Sequence, residues 1–153
     1  MASRWRAAAG WGIVGCTIGL LIAGAVMVVA NISDPKPTII IGGTAIKVTV
    51  ARTDAELLRG LGGVDSIPMN EGMLFVFPKE GGQHIWMKDM KITLDIVWIN
   101  ADKRVVHIER NVRPDSYPRV YSSPVPAKYV LEVAAGTAAD AQITDGSNAS
   151  FQL

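Results

Sequence analysis

Residues 38–51 read TIIIGGTAIKVTVA, and this stretch decides the fold class. β-Branched residues dominate both halves, and Gly42 and Gly43 stand where a two-residue turn needs positive φ, so the expectation is a β-hairpin. Just upstream, Pro35 and Pro37 interrupt any helix and make residues 34–37 a short, stiff linker. Downstream, Thr53 and Glu56 have capping-box spacing, and Leu57, Leu58 and Leu61 form an apolar face. Gly60, Gly62 and Gly63 then stop that helix within about two turns.

The remainder continues in short apolar runs divided by turn residues. Met73 to Phe77, His84 to Lys88 and Leu94 to Ile99 are expected strands, with Pro78, Gly81, Gly82 and Asn100 at the breaks. Lys103 to Val112 is expected to pair back across a turn at Ala101 and Asp102. Pro114, Pro118, Pro124 and Pro126 hold the next segment as a long irregular loop, because each removes a backbone donor and restricts its predecessor. Ala127 to Ala134 is a further strand, Gly136 to Ala141 a short helix, and Asn148 to Leu153 a closing strand. The fold class is therefore mainly β with minor α: a small antiparallel barrel or rolled sheet with one or two short helices, spanning residues 38–153.

Working outward from the hairpin in the other direction, no residue from Ala7 to Ser33 is charged, and Trp11 to Ala30 is almost wholly apolar or small. That length crosses a hydrocarbon core as a helix, so residues 1–33 are expected to be one N-terminal transmembrane helix. Arg4 and Arg6 precede it, which puts the N-terminus in the cytoplasm and the domain outside the cytoplasmic membrane in a single-pass arrangement. The run is longer than the core of a cleaved signal peptide, so a retained signal anchor is favoured over cleavage after Ala30. Lipidation on Cys16 is a third fate, disfavoured because the chain stays apolar from Thr17 to Ala30. Gly15 and Gly19 permit close helix packing but are weak support for a dimer in so glycine-rich a segment.

All but two of the 15 basic residues and all 14 acidic ones fall after Ser33, so the domain is close to neutral. Its nearest approach to a basic stripe, Lys103, Arg104, Arg110, Arg113 and Arg119, is diluted by Asp102, Glu109 and Asp115. It reads as a solvated face, and no nucleic-acid partner is expected. Cys16 is the single cysteine, so residues 38–153 have neither disulfide nor thiolate chemistry.

Charges inside apolar strands are the candidate site. Asp95 interrupts Leu94 and Ile96, Glu132 interrupts Leu131 and Val133, and Lys88 shares a strand face with Trp86. An isolated buried ion is costly, so Arg59, Lys88, Asp95 and Glu132 are expected to meet. They would form either a salt-bridge network fixing register or a cleft gripping an anionic or peptide-like ligand through Arg59 and Lys88; access to solvent separates the two. Met69, Met73, Met87 and Met90 with His84 could make a soft Cu(I) site, but methionine ordinarily fills cores. His84 and His107 lack zinc-ligand spacing, and no metal or other cofactor is expected. The sequence carries no GxSxG, HExxH, Walker or GxGxxG motif.

Five blocks in order complete the picture: Arg59-Gly60-Leu61, Gly72-Met73-Leu74-Phe75 with Phe77, Trp86-Met87-Lys88, Leu94-Asp95-Ile96, and the run from Pro126 to Glu132 ahead of Gly136. From about Ile46 onward the chain resembles the family called domain of unknown function 192. The resemblance implies a small β-rich barrel with minor helices, often exported or membrane-tethered, and brings no activity, substrate or cofactor. The third block commonly continues with Asn and Thr, where this chain has Asp89 and Met90, so no role passes to an amide or hydroxyl there.

The functional expectation is a membrane-tethered extracytoplasmic binding or accessory module for a ligand or envelope protein. An envelope hydrolase or transferase using Asp95 or Glu132 is the alternative, and a copper-binding module the lesser one.

Overall fold

The structure, a computed structural model, describes residues 36–153. The anchor expected over residues 1–33 lies outside the described residues, and among those described no helix is long and apolar enough to cross a membrane.

The opening hairpin forms as its sequence requires. Strand β1 (Thr38–Ile41) pairs antiparallel with β2 (Thr44–Ala51), with Ile41 opposite Thr44. Gly42 and Gly43 turn between them at φ 57° and 77°, values at which a side chain would be strained. Helix α1 (Asp54–Arg59) carries the expected capping box: the Thr53 hydroxyl accepts from the Glu56 N–H, and Glu56 accepts from the Thr53 and Arg52 N–H groups. Those backbone donors hold the Glu56 carboxyl below its usual range.

After α1 the chain returns as β3 (Glu71–Gly81), which lies parallel to β2. A parallel pair cannot be joined by a tight turn, and α1 is the crossover. All other pairings are antiparallel. β5 (Leu94–Ile99), β6 (Val105–Val112), β8 (Ala127–Ala134) and β9 (Ala149–Ser150) complete a seven-stranded sheet in the order β6-β5-β8-β3-β2-β1-β9. A short β4 (His84–Trp86) pairs with β7 (Val120–Ser122) as a separate ribbon. Helix α2 (Thr137–Asp140) follows β8. The two edges of the large sheet approach each other where Arg104 bridges Asn148, and the Ala149 N–H donates to the Lys103 carbonyl at 2.8 Å. The sheet is therefore curled into a half-barrel.

Several boundaries differ from the sequence expectation for identifiable reasons. β3 runs through Pro78 because the register with β8 shifts between Val76 and Gly81, where no ladder donor is needed. The strand expected over His84 to Lys88 stops at Trp86, and the chain turns at Asp89 with φ 59°. The proline-rich segment is not wholly irregular: it contains a 3-10 turn at Pro114–Ser116 and β7. The closing strand shrinks to Ala149–Ser150.

Central strands β3, β5 and β8 are buried on both faces, which explains their nearly continuous apolar sequences. One face, with Leu74, Val97, Leu131 and Val133, packs on the hairpin and α2. The other, with Phe75, Ile96, Trp98 and Val130, packs under the β4–β7 ribbon through Ile85 and Tyr121. The Trp98 indole N–H donates to the Gln83 carbonyl at 3.0 Å, pinning the entry to that ribbon.

Asp95 belongs to this framework. It is 1% exposed, and its carboxylate accepts from the Asn111 N–H at 3.0 Å and from the Gly136 and Ala138 N–H groups at 2.9 and 3.0 Å. It thereby ties a bulge of β6 to the start of α2, whose own cap residue is a glycine with no side chain to offer. Replacing Asp95 with Ala strands three backbone donors. The variant is expected to lose at least about 3 kcal/mol of stability, read from its urea midpoint; a loss below about 1 kcal/mol would contradict this role.

Candidate functional site

The second apolar face opens to solvent in one place. β8 presents Val130 and Glu132 to it, and β3 and β5 flank Glu132 with Met73 and Ile96 as direct cross-strand neighbours. Above them stands the end of α1. Gly60 has φ 50°, which favours glycine, and a Cβ there would crowd the Phe75 ring at 3.1 Å; the same position lies at ordinary contact distance, 3.7 Å, from Glu132 Oε2, so the helix end sits close over the carboxyl. The Gly63 N–H donates to the Asp89 carbonyl at 2.8 Å, joining the loop that follows Arg59 to the turn that follows Lys88.

Together these elements enclose an open cleft of about 550 Å³. Its walls are apolar: Leu57, Phe75, Ile85 and Met90 line it, and Leu58, Trp86 and Val120 stay 65%, 43% and 50% exposed. Arg59, His84 and Lys88 reach the same cleft and are solvent-exposed. Glu132 is its only acidic residue among the described residues.

Glu132 is 4% exposed, and its buried Oε2 has no hydrogen-bond partner among the described residues. Burial in these apolar surroundings pushes its pKa from 4.5 up to about 8, so the carboxyl is neutral at pH 7. A neutral carboxylic acid is both a donor and an acceptor.

Of the four residues expected to meet, the structure brings Arg59, Lys88 and Glu132 to one cleft. Asp95 is not there. It pairs with Val133, one position beyond Glu132 on β8, and alternation sends it to the opposite face. The expected salt-bridge network does not form either. The ion pairs among the described residues are Lys36–Glu71, Lys91–Asp65, His107–Glu109 and Arg113–Asp115.

The soft-ligand set is likewise dispersed. Met73 and Met87 are buried in the core, and Met69 receives a contact from the Thr137 hydroxyl at 3.6 Å; only Met90 and His84 line the cleft. Among the described residues no group of three His, Cys, Asp or Glu side chains could hold a metal ion.

Sequence reasoning did not single out Phe75, Trp86, Met90 or Val120 as lining residues, and it grouped Leu58 with Leu57 and Leu61 on one apolar face. The available signal for Leu58 was its position beside Arg59 on a helix of under two turns, too short to bury three leucines on one side.

The fold and cleft together define a class: a small half-barrel domain with an apolar cleft over a buried carboxyl. Within that class, the family profile for DUF192, uncharacterized ACR, matches residues 38–151, and the chain belongs to this family. No protein of the curated set matches the chain. Among solved structures, a Sinorhizobium meliloti protein described as a candidate transcription regulator superposes with a TM-score of 0.71 at 26% identity, over 75% of this chain and 92% of its own. A protein of unknown function from Novosphingobium aromaticivorans also gives 0.71 at 27% identity, over 78% of this chain and 89% of its own.

The buried acid gives the fold a pH dependence with a definite sign. Below about pH 4.5 Glu132 is protonated whether the chain is folded or not, and it contributes nothing. Between about 4.5 and 8 the unfolded chain releases a proton that the folded one keeps, so stability falls as pH rises, by up to about 1.4 kcal/mol per pH unit. Glu132→Gln cannot titrate. Its stability relative to wild type, from denaturant melts, is expected to rise by several kcal/mol between pH 5 and 8; parallel curves would mean that Glu132 ionises within the fold.

Proposed function

We propose that this chain is a membrane-tethered extracytoplasmic binding module whose cleft takes a small anionic ligand with an apolar body. The carrying observation is the cleft itself: apolar walls, three exposed basic side chains and an acid that burial keeps neutral. Such a surface offers an anion favourable charge at the mouth and removes its apolar part from water at roughly 25 cal/mol per Å². Arg59 and Lys88 have no carboxylate within ion-pairing distance among the described residues, so both are available to an anionic group.

The tether rests on the uncharged run from Ala7 to Ser33 and on Arg4 and Arg6 ahead of it. A single-pass anchor with its N-terminus in the cytoplasm would put the cleft on the outer side of the cytoplasmic membrane, where ligands and envelope proteins are its partners. Nucleic acid is a poor fit despite the description of the Sinorhizobium meliloti relative. Lys103 and Arg110 are committed to the Phe151 and Ile143 carbonyls, and Arg113 pairs with Asp115.

A second reading, hydrolysis or group transfer with Glu132 as general acid, draws on one observation, the raised pKa of a carboxyl inside a cleft. Asp95 cannot assist it from the opposite face of the sheet.

Two measurements test the proposal. Octanoate binding to the full-length chain in lipid nanodiscs, followed by equilibrium dialysis against empty discs, is expected to weaken about tenfold or more in the Arg59→Ala, Lys88→Ala double variant with the melting temperature unchanged. Equal binding by both would remove the cleft from the account. Separately, protease added outside intact cells is expected to degrade residues 38–153; full protection would place the domain on the other side of the membrane.

A further inference from the structure

An anionic group at the mouth accounts for Arg59, Lys88 and His84, but it leaves the floor unexplained. Glu132 lines the cleft, and its buried Oε2 has no hydrogen-bond partner among the described residues, close under the Gly60 backbone at the end of α1. A group of this kind ordinarily finds a hydrogen bond, because leaving it bare carries a full desolvation penalty. Two kinds of ligand could supply one. A cationic group would require Glu132 to ionise and would have to pass the charged Arg59 and Lys88 at the mouth. An uncharged hydrogen-bonding group needs neither, and a carbonyl is the simplest, since it meets the carboxyl as an acceptor alone.

We propose that the cleft selects oxo-acids, apolar anions that carry a carbonyl oxygen along the chain, and that Glu132 donates its carboxyl proton to that oxygen as a hydrogen bond. The proposal rests on the reading of the cleft as an anion site and adds what its floor recognises. The carbonyl is the informative case, since it accepts but cannot donate. An ionised Glu132 would repel it, and a neutral one would hold it, so selectivity for the carbonyl should follow the protonation of Glu132. Burial keeps that proton in place through neutral pH. The titratable groups that share the cleft are Arg59 on α1, His84 on β4 and Lys88 in the turn after it. They act on the anionic end, which is common to all the probes compared below, so their titration cancels in a ratio of affinities.

The test compares octanoate with 4-, 5-, 6- and 7-oxooctanoate on the full-length chain in nanodiscs, with empty discs as the partition control. At pH 6 at least one oxo position is expected to bind at least about tenfold tighter than octanoate, the scale of one buried hydrogen bond. That gain should disappear at about pH 9.5. It should also disappear in Glu132→Leu, which fills similar space without a donor; the readout is the ratio of oxooctanoate to octanoate affinity within that variant. Glu132→Gln keeps an N–H donor that does not titrate, so it should retain a preference that no longer falls with pH. If octanoate binds but no oxo position gains, or if the gain survives in Glu132→Leu, the inference is overturned and the anion cleft stands. If no probe binds the wild-type chain, both fall.

Discussion

The alternation of side chains along β8 is the constraint from which the rest follows. β8 is paired on both edges, to β3 and to β5, so its register cannot slip without breaking two ladders. Period two then sends Leu131 and Val133 to the hairpin side and Glu132 to the side under the ribbon. A one-residue slip would bury Glu132 among the hairpin isoleucines and turn Leu131 and Val133 toward the cleft. The cleft is therefore a consequence of sheet register, and the capped α1 and the β4–β7 ribbon merely wall it.

The two buried acids show how environment divides residues of the same chemistry. Asp95 meets three backbone N–H donors and serves the framework. Glu132, paired across the sheet with Ile96 next to Asp95 and with Met73 on its other side, keeps its proton and has no partner for Oε2 among the described residues. The helix dipole adds to the contrast: the start of α2 points its free N–H groups at Asp95, whereas the end of α1 offers Glu132 only a bare glycine.

Much of this was legible in residue pattern. The Gly42-Gly43 hairpin, the Thr53–Glu56 box and the strands at Leu94 to Ile99 and Ala127 to Ala134 stand where local chemistry puts them, because each signal is complete within a few residues. Arg59, Lys88 and Glu132 were legible as charges needing an explanation, and the structure gathers them. Asp95 was misplaced because alternation within one strand says nothing about register between strands; that one-position offset between β5 and β8 is a tertiary fact. The parallel β2–β3 pairing escaped for the same reason, and Val120 escaped because four prolines mask a three-residue strand.

What remains is why a fold would carry Glu132 at all. A leucine at this position would pack against Met73, Ile96 and Phe75 without a desolvation penalty, and stability alone favours it. The carboxyl does not fix register, since β8 is already held by its ladders and by Leu131 and Val133. Among the described residues it neither caps a helix nor pairs with a cation. No contact among the described residues requires a group that weakens the fold as pH rises toward neutrality. Its position at the base of an open cleft, close under Gly60, is where the proposed ligand would meet it.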